Sequence, residues 1–176
     1  MFLFCCFTGL SYADLAKLNY EELKQTPDGE WWISSIRQKT KVAFTVKLLP
    51  VAKAILEKYR IPTNRFNRLF PGNPDRVFPV ASLKYSDACL KQIARQRGIT
   101  KNLKFHCARH TFATTVTLMN GIPLETVSKM LGHKYTTTTH IYAKVTNQMI
   151  DNAISRIEDQ IGEQFQFPTL KKEAVG

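Results

Sequence analysis

The chain has 176 residues, 44% hydrophobic and 11% aromatic, which allows a packed core and excludes wholesale disorder. Its 25 Lys and Arg against 14 Asp and Glu leave a formal charge of +11, so an anionic partner is expected, nucleic acid first. Four cysteines, Cys5, Cys6, Cys89 and Cys107, lack the Cys-x-x-Cys spacing of a zinc site and make a poor disulfide framework; reduced thiols in a cytoplasmic protein are expected.

The opening MFLFCCFTGL is apolar but too short to span a bilayer and lacks the basic segment of a secretory signal. It reads as the end of a buried helix, in a chain that starts partway through a larger protein. SYADLAKLN predicts a short helix with Ser11 as N-cap, and PDGE at 27–30 predicts a turn. WWISSIRQ and KTKVAFTVKLL predict two antiparallel strands joined near Lys39 and Thr40, with Val42, Phe44, Val46 and Leu48 alternating with their neighbours. Pro50 opens the helix VAKAILEKYR, with Ile55 and Leu56 turned inward. The prolines, asparagines and glycine between Ile61 and Val80 predict a surface loop. Helical spacing resumes in SDACLKQIARQRG and stops at Gly98. HCARHTFATT begins the next helix, which runs to about Met119, before Asn120 and Gly121. PLETVSKMLG follows, with Pro123 near its first turn and Gly132 as C-cap, and a last helix covers Thr146 to Ile161. FPTLKKEAVG reads as a tail. The expected fold is mainly α (α+β): a single helical domain over 1–164 with a small antiparallel β-hairpin, then a C-terminal tail over 165–176.

Chemistry concentrates in HCARHTFATT. On a helix His106, Arg109 and His110 share a face, and the i, i+4 histidine pair admits zinc. Cys107, however, stands where zinc metalloprotease helices carry a glutamate, and no helix presents a matching acid, so no metal is expected. His133 follows Gly132, where the backbone must turn, and Tyr142 lies nine residues on, expected on the next helix. An arginine, two histidines and a tyrosine suit attack on a phosphodiester. The guanidinium holds non-bridging oxygens, the phenol displaces a sugar hydroxyl, and side-chain charge does the work of a metal. Taken singly, each residue also has an ordinary reading. Tyr142 reads as an interfacial tyrosine, Lys39 as a solvated turn lysine, His110 as a packing or capping residue, and Thr136 to Thr139 as a helix start.

Taken together, in order and spacing, FTGLSYADLAKL, Lys39, HCAR, LGH and THIYAKV resemble the tyrosine recombinases, or phage-type integrases, over nearly the whole chain. The resemblance implies the tyrosine recombinase catalytic-domain fold and site-specific DNA recombination or integration through a 3′-phosphotyrosyl intermediate. It implies Tyr142 as nucleophile, Arg109 on the non-bridging oxygens, and His106 as base or as a hydrogen-bond partner of phosphate and Tyr142. His133 is implied as a phosphate donor and Lys39, on a mobile hairpin, as the general acid on the leaving 5′-oxygen. It further implies double-stranded DNA as partner, no cofactor, and a homo-oligomer, a tetramer on DNA, with Phe165, Phe167 and Leu170 of the tail as possible contacts to a neighbouring subunit.

In two respects the chain departs from that pattern. The usual first motif, TGLR, carries a second phosphate-binding arginine; here Ser11 stands in its place, as in some conjugative-transposon integrases. Arg37 is the candidate replacement: on a strand, it and Lys39 would leave the same face. Set against that family pattern, an N-terminal clamp domain and the first part of the catalytic domain are expected to lie ahead of Met1. Two other functions stay open: a non-catalytic DNA-binding protein on the same fold, and a type IB topoisomerase-like relaxing enzyme.

Overall fold

The computed structural model describes residues 1–60, 75–143 and 147–164. The expected tail, with Phe165, Phe167 and Leu170, lies outside the described residues, as do residues 61–74 of the expected surface loop. The chain divides into two compact units, Met1–Lys144 and Val145–Gly176.

The first unit opens with two short helices, α1 (Phe2–Thr8) and α2 (Tyr12–Lys17). Gly9 closes α1 in the left-handed conformation at φ 71°, and a Cβ there would stand 2.4 Å from Cδ1 of Phe112. Only glycine fits, on backbone and on space. Ser11 caps α2 by accepting the Asp14 N–H at 3.3 Å, as its position before an apolar-periodic segment predicts. A single 3-10 turn, Tyr20–Glu22, then leads into an antiparallel sheet of order β1 (Leu23–Gln25), β2 (Trp31–Ile36), β3 (Ala43–Lys47). β1 was not anticipated, because EELKQ is too short and too polar to show a period. Its register, Leu23 opposite Ile33, puts both side chains into the core. Along β3 burial alternates as the sequence predicts: Phe44 and Val46 are buried while Ala43, Thr45 and Lys47 are exposed.

α3 (Pro50–Arg60) faces inward through Ala52 and Leu56, with Ile55 half-buried. The expected surface loop is wrong over part of its described length. Val77 and Phe78 are both 2% exposed, the Val77 N–H donates to the Leu18 carbonyl at 3.0 Å, and Phe78 packs on Phe4 at 4.7 Å between ring centroids. Turn-forming neighbours set the backbone there, but two large apolar side chains gain about 1.5–3 kcal/mol each by burial and dock the segment. α4 (Leu83–Gln96), capped by Ser82, ends before Gly98.

α5 (Cys107–Thr111) widens without a break into a π-helical stretch, Phe112–Thr117, and tightens into a 3-10 turn, Leu118–Asn120, before Gly121 at φ 79°. Such widened turns concentrate at functional sites. α6 (Leu124–Met130) follows Pro123 and ends at Leu131 and Gly132. α5 and its π-helical continuation pack on α1, and α6 packs on β3; Gly9 after α1 and Leu131 after α6 both offer their carbonyls to Arg109 of α5. Two 3-10 turns, Thr136–Thr138 and His140–Tyr142, complete the unit. In the second unit α7 (Asn147–Gln164) carries Ile150, Ile154 and Ile157 at helical spacing.

No helix among the described residues is long and apolar enough to cross a membrane. All four cysteines are free, Cys5 and Cys6 buried, Cys89 and Cys107 half-buried.

Candidate active site

Arg109 projects from α5 and is 3% exposed. Burying a guanidinium is costly unless its N–H groups are met, and here helix ends meet them. One terminal nitrogen donates to the Gly9 carbonyl at 2.6 Å, and the other donates to the Leu131 carbonyl at the end of α6. Burial first, and then the adjacent Arg37 charge, push the Arg109 guanidinium down to about 10, against opposing pulls from Tyr142 and Asp14.

Arg37 reaches the same place from the other side. A strand would put Arg37 and Lys39 on one face; instead β2 ends at Ile36, and a tight turn closes with the Arg37 N–H on the Val42 carbonyl and the Lys41 N–H on the Arg37 carbonyl, both 2.9 Å. Lys41 takes φ 58° in this turn. The turn sends Arg37 inward, half-buried, and leaves Lys39 exposed. Arg37 donates to the Leu131 carbonyl at 3.3 Å, so two guanidinium groups share one acceptor. Thr40 ties the hairpin tip down by donating to the Gly132 carbonyl at 2.7 Å. Gly132, at φ 61°, makes room: a Cβ there would lie 3.2 Å from the Arg37 Cβ and 3.4 Å from its Cδ.

Two buried donors are left over. Nε of Arg37 and Nε of Arg109 have no hydrogen-bond partner, and no carboxylate among the described residues lies within ion-pair distance of either guanidinium. Buried donors without partners are rare. Here they belong to two like charges held side by side, a combination that an entering anion would satisfy.

Around the arginines stand the other site residues. Tyr142, expected on a helix, sits instead in the 3-10 turn His140–Tyr142 and is 5% exposed. Its ring lies nearly parallel to that of His133, with centroids 6.4 Å apart and planes at 9°. His110 meets it edge-on at 4.9 Å and meets His106 at 4.8 Å, so His110 bridges the two. His106, at the N-cap of α5, is exposed, and its pKa is lowered by partial burial, then by His110, Arg109, Arg37 and Lys39. His133 is buried, and desolvation followed by Arg109 and Arg37 pushes it down to about 4, so its imidazole is neutral at neutral pH. Lys39 reaches the cluster by charge alone, through its effect on His106. Ser11 is spent elsewhere: its hydroxyl donates to Asp14 at 2.6 Å and caps α2. Among the described residues no three His, Cys, Asp or Glu side chains gather as a metal-binding set.

Over residues 1–149 the sequence matches the phage integrase family. The chain belongs to that family. It is 29% identical to a tyrosine recombinase of Pseudothermotoga lettingae over 157 residues, covering 86% of this chain and 50% of that protein. It thus spans half the length of that curated relative. The XerH site-specific recombinase, solved bound to a palindromic difH substrate in a post-cleavage complex, superposes with a TM-score of 0.66 at 22% identity, over 89% of this chain and 44% of that one. The Tn1549 transposon integrase, solved with transposon right end DNA, gives 0.59 at 15% identity, over 91% and 57%. At these identities the two structures establish the shared fold, mostly helical with a small antiparallel sheet.

Two further residues of this candidate site carry no clear signal in the sequence. Asp14 is buried, accepts the Ser11 hydroxyl and the Gln38 N–H at 2.8 Å, and acts by charge on both arginines. Its sequence signal, an acid three positions after an N-cap serine, marks a helix start as readily as a site. Thr139 is fully buried beside His133 and looked like one of four interchangeable threonines.

Proposed function

We propose that this chain is the catalytic part of a site-specific DNA recombinase, with residues 1–164 as its catalytic segment, acting on double-stranded DNA through a 3′-phosphotyrosyl intermediate. The observation that carries the reading is the pair of guanidinium groups, Arg37 and Arg109, which share the Leu131 carbonyl and keep unpartnered Nε donors close to Tyr142. Arg109 and Arg37 grip the non-bridging oxygens, Arg37 standing in for the charge that Ser11 does not supply. Tyr142 gives up its phenolic proton, with His106 as base, and its oxygen attacks phosphorus in line. The bond to the 5′-oxygen breaks, and Lys39 protonates that oxygen. His133 donates a neutral hydrogen bond to the phosphate as charge builds. Attack by a second strand's 5′-hydroxyl reverses these transfers and releases Tyr142, so strands are exchanged with no external energy source. No cofactor is assigned a role. Recombination of this kind engages a homo-oligomer, a tetramer on DNA, in the cytoplasm.

The deciding experiment incubates the chain with a nicked suicide duplex and looks for a covalent protein–DNA band. Formation of the band, and its loss in Tyr142→Phe, supports the proposal. Sequence-selective DNA binding with no band in the parent protein would favour the binding-only reading, to which the neutral Ser11 lends its weight. Plasmid relaxation without strand exchange would favour a type IB relaxing enzyme.

A further inference from the structure

Thr139 joins the two 3-10 turns that follow His133. Its N–H donates to the Thr136 carbonyl at 2.7 Å, and its own carbonyl accepts the Tyr142 N–H at 2.9 Å. Its side chain is fully buried, and its hydroxyl lies 2.8 Å from Nδ1 of His133. One residue therefore holds His133 by its side chain and Tyr142 by its backbone, and the rings of those two residues lie within 9° of parallel.

The direction of the Thr139–His133 hydrogen bond decides what the imidazole can do. A neutral imidazole carries one proton, and the bond made by one ring nitrogen sets the state of the other. If Nδ1–H donated to Thr139, the threonine proton would need another acceptor, and among the described residues its hydroxyl has none. That arrangement would orphan a buried donor and leave Nε2 with only a lone pair, unable to donate to a phosphate. If Thr139 donates, the buried proton is satisfied and the ring proton sits on Nε2, which has no partner among the described residues. Because burial and the two arginines keep His133 neutral, tautomer and ring angle, rather than charge, govern its use.

We propose that Thr139 is a positioning residue for strand cleavage, donating its hydroxyl proton to Nδ1 of His133 and so fixing the ring and its Nε2–H tautomer toward the scissile phosphate. The inference rests on the reading of His133 as a phosphate donor. It also ties nucleophile and phosphate donor to one turn, so that Tyr142 and His133 are set as a unit.

Two measurements test it. In the full chain with ¹⁵N-labelled histidine, long-range ¹H–¹⁵N correlation at about pH 7.5 should show His133 with an unprotonated Nδ1 and a protonated Nε2. A protonated Nδ1 in the parent overturns the proposal whatever any variant does. Single-turnover cleavage of the suicide duplex at saturating protein supplies the second. Thr139→Val should slow cleavage about tenfold, the weight of one neutral hydrogen bond, and leave the Kd for DNA within about threefold. Thr139→Ser, which keeps the hydroxyl, should restore the rate to within about threefold of the parent. Equal loss in Val and Ser, or a parental rate in Val, overturns the role of the hydroxyl. His133→Ala separates the two layers. If it is slow while Thr139→Val is not, this inference alone fails; if it cleaves like the parent, the reading of His133 fails and the inference with it.

Discussion

Arg37→Ala is the most informative single change, because it removes a charge that the sequence motif does not announce. In the structure Arg37 is half-buried and donates to Leu131 at 3.3 Å; its charge ranks next after burial in depressing Arg109. If its guanidinium binds the phosphate as charge builds on the non-bridging oxygens, deletion removes one preorganised donor, worth about 10²–10³ in rate, or about 2.7–4 kcal/mol. Fold stability should change much less, because the lost contact is one shared carbonyl bond and a like-charge repulsion is relieved at the same time. Two further effects follow from geometry. The pKa values of His133 and His106 should both rise, since Arg37 helps to lower each. Arg37→Lys should recover only part of the rate, as an ammonium keeps the charge but not the planar fork. The assay is single-turnover formation of the covalent complex on a nicked suicide duplex, with histidine titration by NMR in parallel. A parental cleavage rate in Arg37→Ala would refute the replacement argument, and unchanged histidine titrations would refute the electrostatics.

Gly132→Ala places a methyl 3.2 Å from the Arg37 Cβ at a backbone φ of 61°; it should cost about 1–2 kcal/mol in urea unfolding and slow cleavage as well, whereas an unaltered Cm would show that the contact is slack. His133 has a folded pKa of about 4 against 6.5 unfolded, so between those values the unfolded chain binds more protons and stability falls as pH falls. His133→Gln should flatten the stability profile between about pH 6.5 and about pH 4, and a profile as steep as the parent's would contradict the assignment. Saturating EDTA should leave the cleavage rate of the freshly prepared protein unchanged, because two guanidinium groups supply the charge; abolition by EDTA with rescue by a divalent cation would contradict this. DNA binding by this chain should be weak and fall steeply with salt, as counterion release requires, and salt-resistant nanomolar binding in a gel shift would contradict it.

The fold was legible wherever a periodic apolar pattern met a stop signal. Ser11, Gly98, Gly121 and Gly132 mark helix ends in sequence and do so in the structure. Reading failed where burial was decided by distant partners. Val77 and Phe78 sit among turn residues but are held by Leu18 and Phe4, and β1 exists only because β2 pairs with it. Within the site, the residue types were legible from HCAR, LGH and IYAKV, but the arrangement was not. That Arg37 and Arg109 end on one carbonyl depends on the geometry of the turn near Lys39 and Thr40, whose left-handed residue is Lys41 rather than a glycine; its place is legible in sequence, but its inward direction for Arg37 is not. Tyr142 falls in a 3-10 turn rather than on the expected helix, because the Thr139 carbonyl accepts its N–H three residues on, and residue types alone do not separate such a turn from the start of a helix.

The central claim, that clustered guanidinium charge lets the phenol of Tyr142 break a DNA phosphodiester, meets its most direct test in mapping the covalent product. The parent protein, incubated with a nicked suicide duplex in EDTA and digested, should yield one peptide carrying a 3′-phosphonucleotide on Tyr142, and Tyr142→Phe should yield none. An adduct on any other side chain, or one that persists in Tyr142→Phe, would contradict the account.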